Sequence, residues 1–372
     1  MGSFGQANRP KVCDNIFLSE FFRGGYSLTG ASRSIVRFPM PGLQLGGLPP
    51  RHTRRYSRRK LIENGLATIS AMALANGGLP RLAVACEAVS SSSKPDGYID
   101  AHVHVWTPDT GSYPLTKGFR REDMQPASFT PEQLFAHCKP SGVTRIVLIQ
   151  MSFYGVDNSY MLDTIQEHRE AFVGVAVIDD EADRPDKDMR RLKPLGVRGF
   201  RLVTHERDAE AWFATSGIRS MWKCGAEENL AMCMLCNADV VPAIDRMCER
   251  YPETPVVVDH MARIGVDGTL RDTDIDQLCR LARHRKTYVK TSAFYGLGKK
   301  KTPYLDIAPM IQRLLDTFGP QRLMWASDCP FQVNLGHNYQ DSVDLIAKRL
   351  DFLSPSDRDW MLRKTAEEFY FS

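Results

Sequence analysis

From Tyr98 onward the chain alternates between short apolar, β-branched runs and polar or amphipathic stretches of helix length. Eight apolar runs stand out: Tyr98–Val105, Val143–Gln150, Phe172–Ile178, Val197–Val203, Leu230–Cys236, Pro255–His260, Thr287–Thr291 and Arg322–Ser327. Their starts lie 25 to 45 residues apart. Near-continuous apolar strands separated by helices predict a parallel sheet covered on both faces. Eight such units within residues 98–372 match an α/β fold of the TIM type, a single (β/α)8 barrel, which needs about 250 residues. A doubly wound open sheet is the alternative, but no glycine-rich nucleotide loop supports it. No G-x-G-x-x-G, P-loop or G-x-S-x-G motif occurs anywhere.

Residues 1–97 have a different texture. The first 60 carry eleven Lys/Arg against only Asp14 and Glu20, whereas the remainder carries 37 basic and 42 acidic residues. The net charge of +4 therefore hides a basic leader on a slightly acidic body. That balance argues against nucleic acid as a partner of the folded part. Within the leader, Arg58-Arg59 precedes a stretch without charge from Asn64 to Pro80, followed by Ala83-Val84-Ala85 and a Ser-rich linker. This order resembles a bacterial twin-arginine export signal. The expectation is a disordered or cleaved leader and an exported protein of the periplasm or cell envelope. The alternative is a basic tail or transit peptide, with a cytoplasmic location if the segment exports nothing. Met1 and Met40 are both candidate starts, and Cys86 is a candidate lipidation site. No stretch predicts a stable membrane span.

Apolar residues at 43% and charged residues at 25% are ordinary for a globular protein and exclude fibrous and fully disordered classes. Nine cysteines without framework spacing read as free thiols. Cys233 and Cys236 form a C-x-x-C, but their odd offset on a strand sends them to opposite faces, which disfavours a redox pair.

Candidate chemistry gathers where strands end. In Tyr98-Ile99-Asp100-Ala101-His102-Val103-His104-Val105-Trp106, period-2 alternation puts His102 and His104 on one face, pointing into the barrel. Two imidazoles at i and i+2 can share a cation or polarise one carbonyl. Asp328 closes the eighth run just before Cys329-Pro330, at the catalytic rim and beside strand one. His260 ends the sixth run and reaches the same rim. On strand four, Arg198 and Arg201 cannot share a face; Arg201, nearer the carboxyl end, is the candidate for binding a substrate carboxylate, and Arg198 for a surface ion pair. Lys299-Lys300-Lys301 reads as a solvated edge.

These motifs, with Gln150-Met151-Ser152-Phe153-Tyr154-Gly155-Val156-Asp157-Asn158-Ser159, resemble the amidohydrolase superfamily, in the branch that includes 2-pyrone-4,6-dicarboxylate lactonase and sugar lactonases. Met151 departs from the proline usual there. The resemblance implies that Asp328 is a general base on water, with His102, His104 and His260 as catalytic partners. Arg201 and the loop residues Tyr154, Asp157 and Asn158 are expected to hold a carboxylated small-molecule substrate. Metal-dependent members add a strand-five histidine, but Asn229 to Asp239 contains none. The lactonase branch works without a metal. The expected cofactor is therefore none, or one weakly held divalent metal such as zinc on His102, His104 and Asp328. Cys236 is a weak substitute for the missing ligand. The expected activity is hydrolysis of a lactone or related ester-like ring. A metal-dependent decarboxylase and a catalytically inactive ligand-binding barrel are the alternatives.

Overall fold

The computed structural model describes residues 97–204 and 207–372. Arg58-Arg59, Met40, Cys86 and the rest of the leader lie outside the described residues. Eight parallel strands form one sheet in sequence order: β1 Tyr98–Val103, β2 Val143–Ile149, β3 Phe172–Ala176, β4 Val197–Val203, β5 Ala231–Leu235, β6 Val256–Val258, β7 Thr287–Thr291 and β8 Leu323–Trp325. The first and eighth strands meet through Asp328 N–H donating to the His102 carbonyl (2.9 Å) and His104 N–H donating to the Cys329 carbonyl (2.9 Å). The TIM barrel read from the sequence is the fold observed.

The ladders stop short of several apolar runs. β1 ends at Val103 rather than Val105, β3 at Ala176 rather than Ile178, and β6 at Val258 rather than His260. Trp106 packs against Phe129, Phe153 and Phe331 and donates its indole N–H to the Pro126 carbonyl, 2.8 Å away. The apolar run thus continues because it supports the loops of the mouth, after pairing has ended.

Inside the barrel, Ile99, Ala101, Val147, Ile149, Val173, Val175, Ala231, Cys233, Val257, Met324 and Ala326 make one core. The carboxy-terminal helix Thr365–Tyr370 joins it through Ala366 and Tyr370, and Glu367 pairs with the buried Arg145 of β2 at 3.0 Å. A larger core lies between the strands and the outer helices. These include α1 Pro131–Cys138, α2 Ser159–Glu167, α3 Pro185–Leu192, α4 Ser216–Glu228, α5 Val241–Arg250, α6 Asp272–Arg280 and α7 Ala308–Phe318. Each shows its buried residues at helical spacing, as α5 does with Val241, Ile244 and Cys248. Among the described residues no helix is long and apolar enough to cross a membrane. The seven described cysteines are all free.

Candidate active site

Strict alternation would not bring His102 inward, because Ile99 and Ala101 already face the interior. The β1–β2 register slips between Asp100 and Val103, so three residues of β1 advance against two of β2. Such a bulge resets the parity and re-aims a side chain. Val103 then faces the outer core, and His102 and His104 both face inward. Asp100 helps hold this end of the strand. Its carboxylate accepts from the N–H groups of His102 and Ser327 and from the Tyr339 hydroxyl. Burial pushes its pKa up to about 6, against the pull of those bonds.

His260 enters by a different device. After β6 the backbone runs through four left-handed residues, His260, Met261, Ala262 and Arg263, with φ between 51° and 55°. Each non-glycine residue in that conformation costs roughly 1–2 kcal/mol. All four are buried, so surrounding packing holds them there. Strain of this kind gathers at functional sites. Asp328 also sits at a positive φ of 63°.

The result is a convergent cluster. His102 Nε2 lies 3.3 Å from His104 Nε2, and Asp328 Oδ1 lies 3.6 Å from the former and 3.4 Å from the latter. His260 Nε2 is 3.8 Å from Asp328 Oδ2. That second oxygen accepts a bond of 2.6 Å from the Tyr295 hydroxyl, whereas Oδ1 is buried and accepts none. Burial, then the neighbouring charges of Lys290 and Arg201, holds His102 well below its ordinary value. Burial brings His260 down to about 3 despite the attraction of Asp328. Both rings are therefore neutral at physiological pH.

Arg201 reaches the same space. Its Nη1 is 3.4 Å from His104 Nε2, and its Nε is buried with no hydrogen-bond partner. Arg198 points away and donates to the carbonyls of Lys193 and Val197, so the expected surface ion pair is replaced by backbone contacts. The β2 loop residues are engaged elsewhere. The Tyr154 hydroxyl accepts from Thr107 N–H at 3.1 Å, and Asp157 accepts from Ser159 N–H at 3.0 Å. Asn158 brackets Val177, donating to its carbonyl and accepting from its N–H. These bonds shape the loop, and none of them joins the cluster.

The sequence reading gave no role to Asp259, Lys290, Ser292, Tyr295 or Arg263. Lys290 and Asp259 are fully buried and paired at 3.0 Å behind His102. Burial pushes the Asp259 pKa up, but Lys290, Arg201 and His260 together outweigh it and hold the carboxyl below its usual range. Ser292 Oγ lies 2.8 Å from His260 Nδ1. One signal was available: Lys290 is a lone lysine in the middle of the seventh run. Cys236 belongs to the outer core, and burial pushes its thiol pKa up, so it offers nothing to the cluster.

A divalent cation fits these residues. Ligand atoms of His102, His260 and Asp328 lie within 4.8 Å of one another, and His260 Nε2 and Asp328 Oδ1 are buried without a hydrogen-bond partner.

The sequence profile of the amidohydrolase family matches residues 99–371. An L-fucono-1,5-lactonase of Burkholderia ambifaria is 26% identical over 244 residues, covering 64% of this chain and 82% of that protein. A 2-pyrone-4,6-dicarboxylate hydrolase of Comamonas testosteroni is 26% identical over 247 residues, covering 63% and 77%. Among solved structures, a probable 2-pyrone-4,6-dicarboxylic acid hydrolase from Acinetobacter baumannii with citric acid bound superposes with a TM-score of 0.64 at 21% identity. It covers 74% of this chain and all of that one. A zinc-bound amidohydrolase from Burkholderia multivorans gives 0.62 at 20% identity, over 74% of this chain and 99% of that one.

Proposed function

The chain belongs to the amidohydrolase family, and we propose that within it this hydrolase opens a lactone, or a related ester-like ring, in a small molecule that carries a carboxylate. The observation that carries this reading is the asymmetry of Asp328: Oδ2 is held by Tyr295 and faces His260, whereas Oδ1 is free beside the imidazoles of His102 and His104. A carboxylate so placed takes a proton from water as the water oxygen bonds to the ring carbonyl carbon. Charge moves to the carbonyl oxygen, which a hydrogen bond donated by an imidazole N–H of the cluster stabilises. Collapse breaks the bond to the ring oxygen, and the proton held by Asp328 goes to that oxygen as it leaves. One water is consumed and one hydroxy acid forms. The names of the relatives, an L-fucono-1,5-lactonase and a 2-pyrone-4,6-dicarboxylate hydrolase, agree with this chemistry.

The test is a panel of carboxylated and neutral lactones assayed by proton release, since each opening generates a carboxylic acid. Ring opening supports the reading, whereas carbon dioxide release from aromatic acids, or binding without turnover, overturns it. Arg201 supplies the preference for a carboxylate, because its unpartnered Nε is a buried donor awaiting an acceptor. Arg201→Met should cut discrimination between carboxylated and neutral lactones by about 10²-fold, the usual loss when one partner of a buried charge pair is truncated. An unchanged preference would assign the carboxylate to other groups.

Where a cation is bound, His102, His260 and Asp328 would hold it, and it would supply Lewis-acid polarisation of the carbonyl and activation of water. The fifth strand offers no imidazole or carboxylate, and the Lys290 and Arg201 charges lie close to His102. Elemental analysis of purified protein should therefore find well under one zinc per chain. One tightly held zinc per chain would transfer carbonyl polarisation from the imidazoles to the metal.

A further inference from the structure

Two of the three rings have their tautomers fixed from behind. His104 Nδ1 faces the Ile149 carbonyl at 3.0 Å, and a carbonyl only accepts, so Nδ1 carries a proton; Arg201 Nη1, which only donates, lies 3.4 Å from Nε2, which therefore presents a lone pair. Ser292 Oγ donates to the Lys290 carbonyl at 3.4 Å, which leaves its oxygen to accept from His260 Nδ1–H. The Nε2 of His260 is then also a lone pair. His102 Nε2 lies 3.3 Å from the lone pair of His104 Nε2, and two lone pairs at that distance repel. A proton must lie between them, and only His102 can supply it.

We infer that Lys290 is a positioning residue that holds His102 as the Nε2–H tautomer, making it the one ring in the cluster that donates a hydrogen bond to the substrate carbonyl. The Nδ1 of His102 then needs a donor. Its neighbours are Lys290 Nζ at 3.3 Å and Asp259 Oδ1 at 3.4 Å, and of these only the ammonium donates. Lys290 also forms an ion pair with Asp259 Oδ1 at 3.0 Å, so the carboxylate is neutralised where it faces the ring. All three side chains are fully buried, and no solvent competes for these protons. Tyr370 lies beneath the ammonium, with Nζ 5.9 Å from its ring centroid.

The same placement sets the cluster's relation to metal. An Nε2–H faces a cation with a proton, whereas an Nε2 lone pair ligates it. Removing Lys290 lets the proton move to Nδ1 and bond Asp259, and a carboxylate behind a ligating histidine strengthens metal binding. Lys290 therefore favours metal-free polarisation of the carbonyl over metal capture. The inference rests on the lactone reading for its catalytic part only.

The test uses full-length protein with 15N-labelled histidine, stripped of metal by a chelator, with the His102 signals identified by comparison with His102→Gln. In the wild type, Nε2 should carry the proton and Nδ1 should not. In Lys290→Met the pattern should reverse, and zinc affinity, read by competition with a chelating dye, should rise about tenfold or more. Turnover of a carboxylated lactone without metal should fall about 10²-fold at little changed KM. Lys290→Arg should restore the wild-type tautomer. A wild-type spectrum with the proton on Nδ1 overturns the inference even if Lys290→Met fails to fold. So does a Lys290→Met protein whose tautomer and zinc affinity match the wild type. If no lactone is opened, the tautomer and zinc readings still decide the role of Lys290, and only the proposed function fails.

Discussion

Asp328→Asn should lower turnover by about 10²-fold or more while leaving the fold intact. The substitution keeps the shape of the side chain and its contact with the Tyr295 hydroxyl but removes the oxygen that can accept a proton. The barrel-closing bonds on either side of it, Asp328 N–H to His102 and His104 N–H to Cys329, are made by backbone atoms and survive. The left-handed φ of 63° is one that asparagine tolerates as well as aspartate. Steady-state proton release, alongside thermal denaturation followed by circular dichroism, measures both halves. A rate within about threefold of wild type would remove Asp328 from the role of base, whereas general-base removal costs about 10²-fold or more.

Asp259→Ala should destabilise the protein by about 3–5 kcal/mol, because it leaves the Lys290 ammonium buried without its counter-charge. The buried pair itself is not a net source of stability, since desolvating two charges offsets much of their attraction. It follows that Asp259→Ala combined with Lys290→Met should recover most of the loss. Urea unfolding of the two single variants and the double variant gives the coupling energy directly. Losses that simply add would show that Asp259 and Lys290 contribute independently, contrary to their 3.0 Å contact.

Much of the cluster was legible before any coordinates. His102, His104, His260 and Asp328 each stand at the end of an apolar run, and a barrel places all strand ends on one rim. Alternation along β4 sends Arg198 and Arg201 to opposite faces, and the preference for Arg201 followed from its place nearer the carboxyl end; the strand is regular and the two side chains do part. The loop after β2 was harder. Tyr154, Asp157 and Asn158 have the chemistry of binding residues, but polar side chains in a tight loop are also what satisfies its backbone, and here they do so.

By itself the sequence determined the barrel, because eight apolar runs at regular spacing have few other ways to be buried, and it determined which rim carries the chemistry. Only the tertiary structure decided how the side chains are aimed. The slipped register in β1 and the left-handed turn after β6 are departures from regular geometry, so periodicity cannot announce them. The electrostatics behind the rings were decided in the same way. Lys290 lies 188 residues from His102 along the chain, and its meaning comes from barrel closure, which puts its ammonium against His102 and Asp259 where no water can take its place.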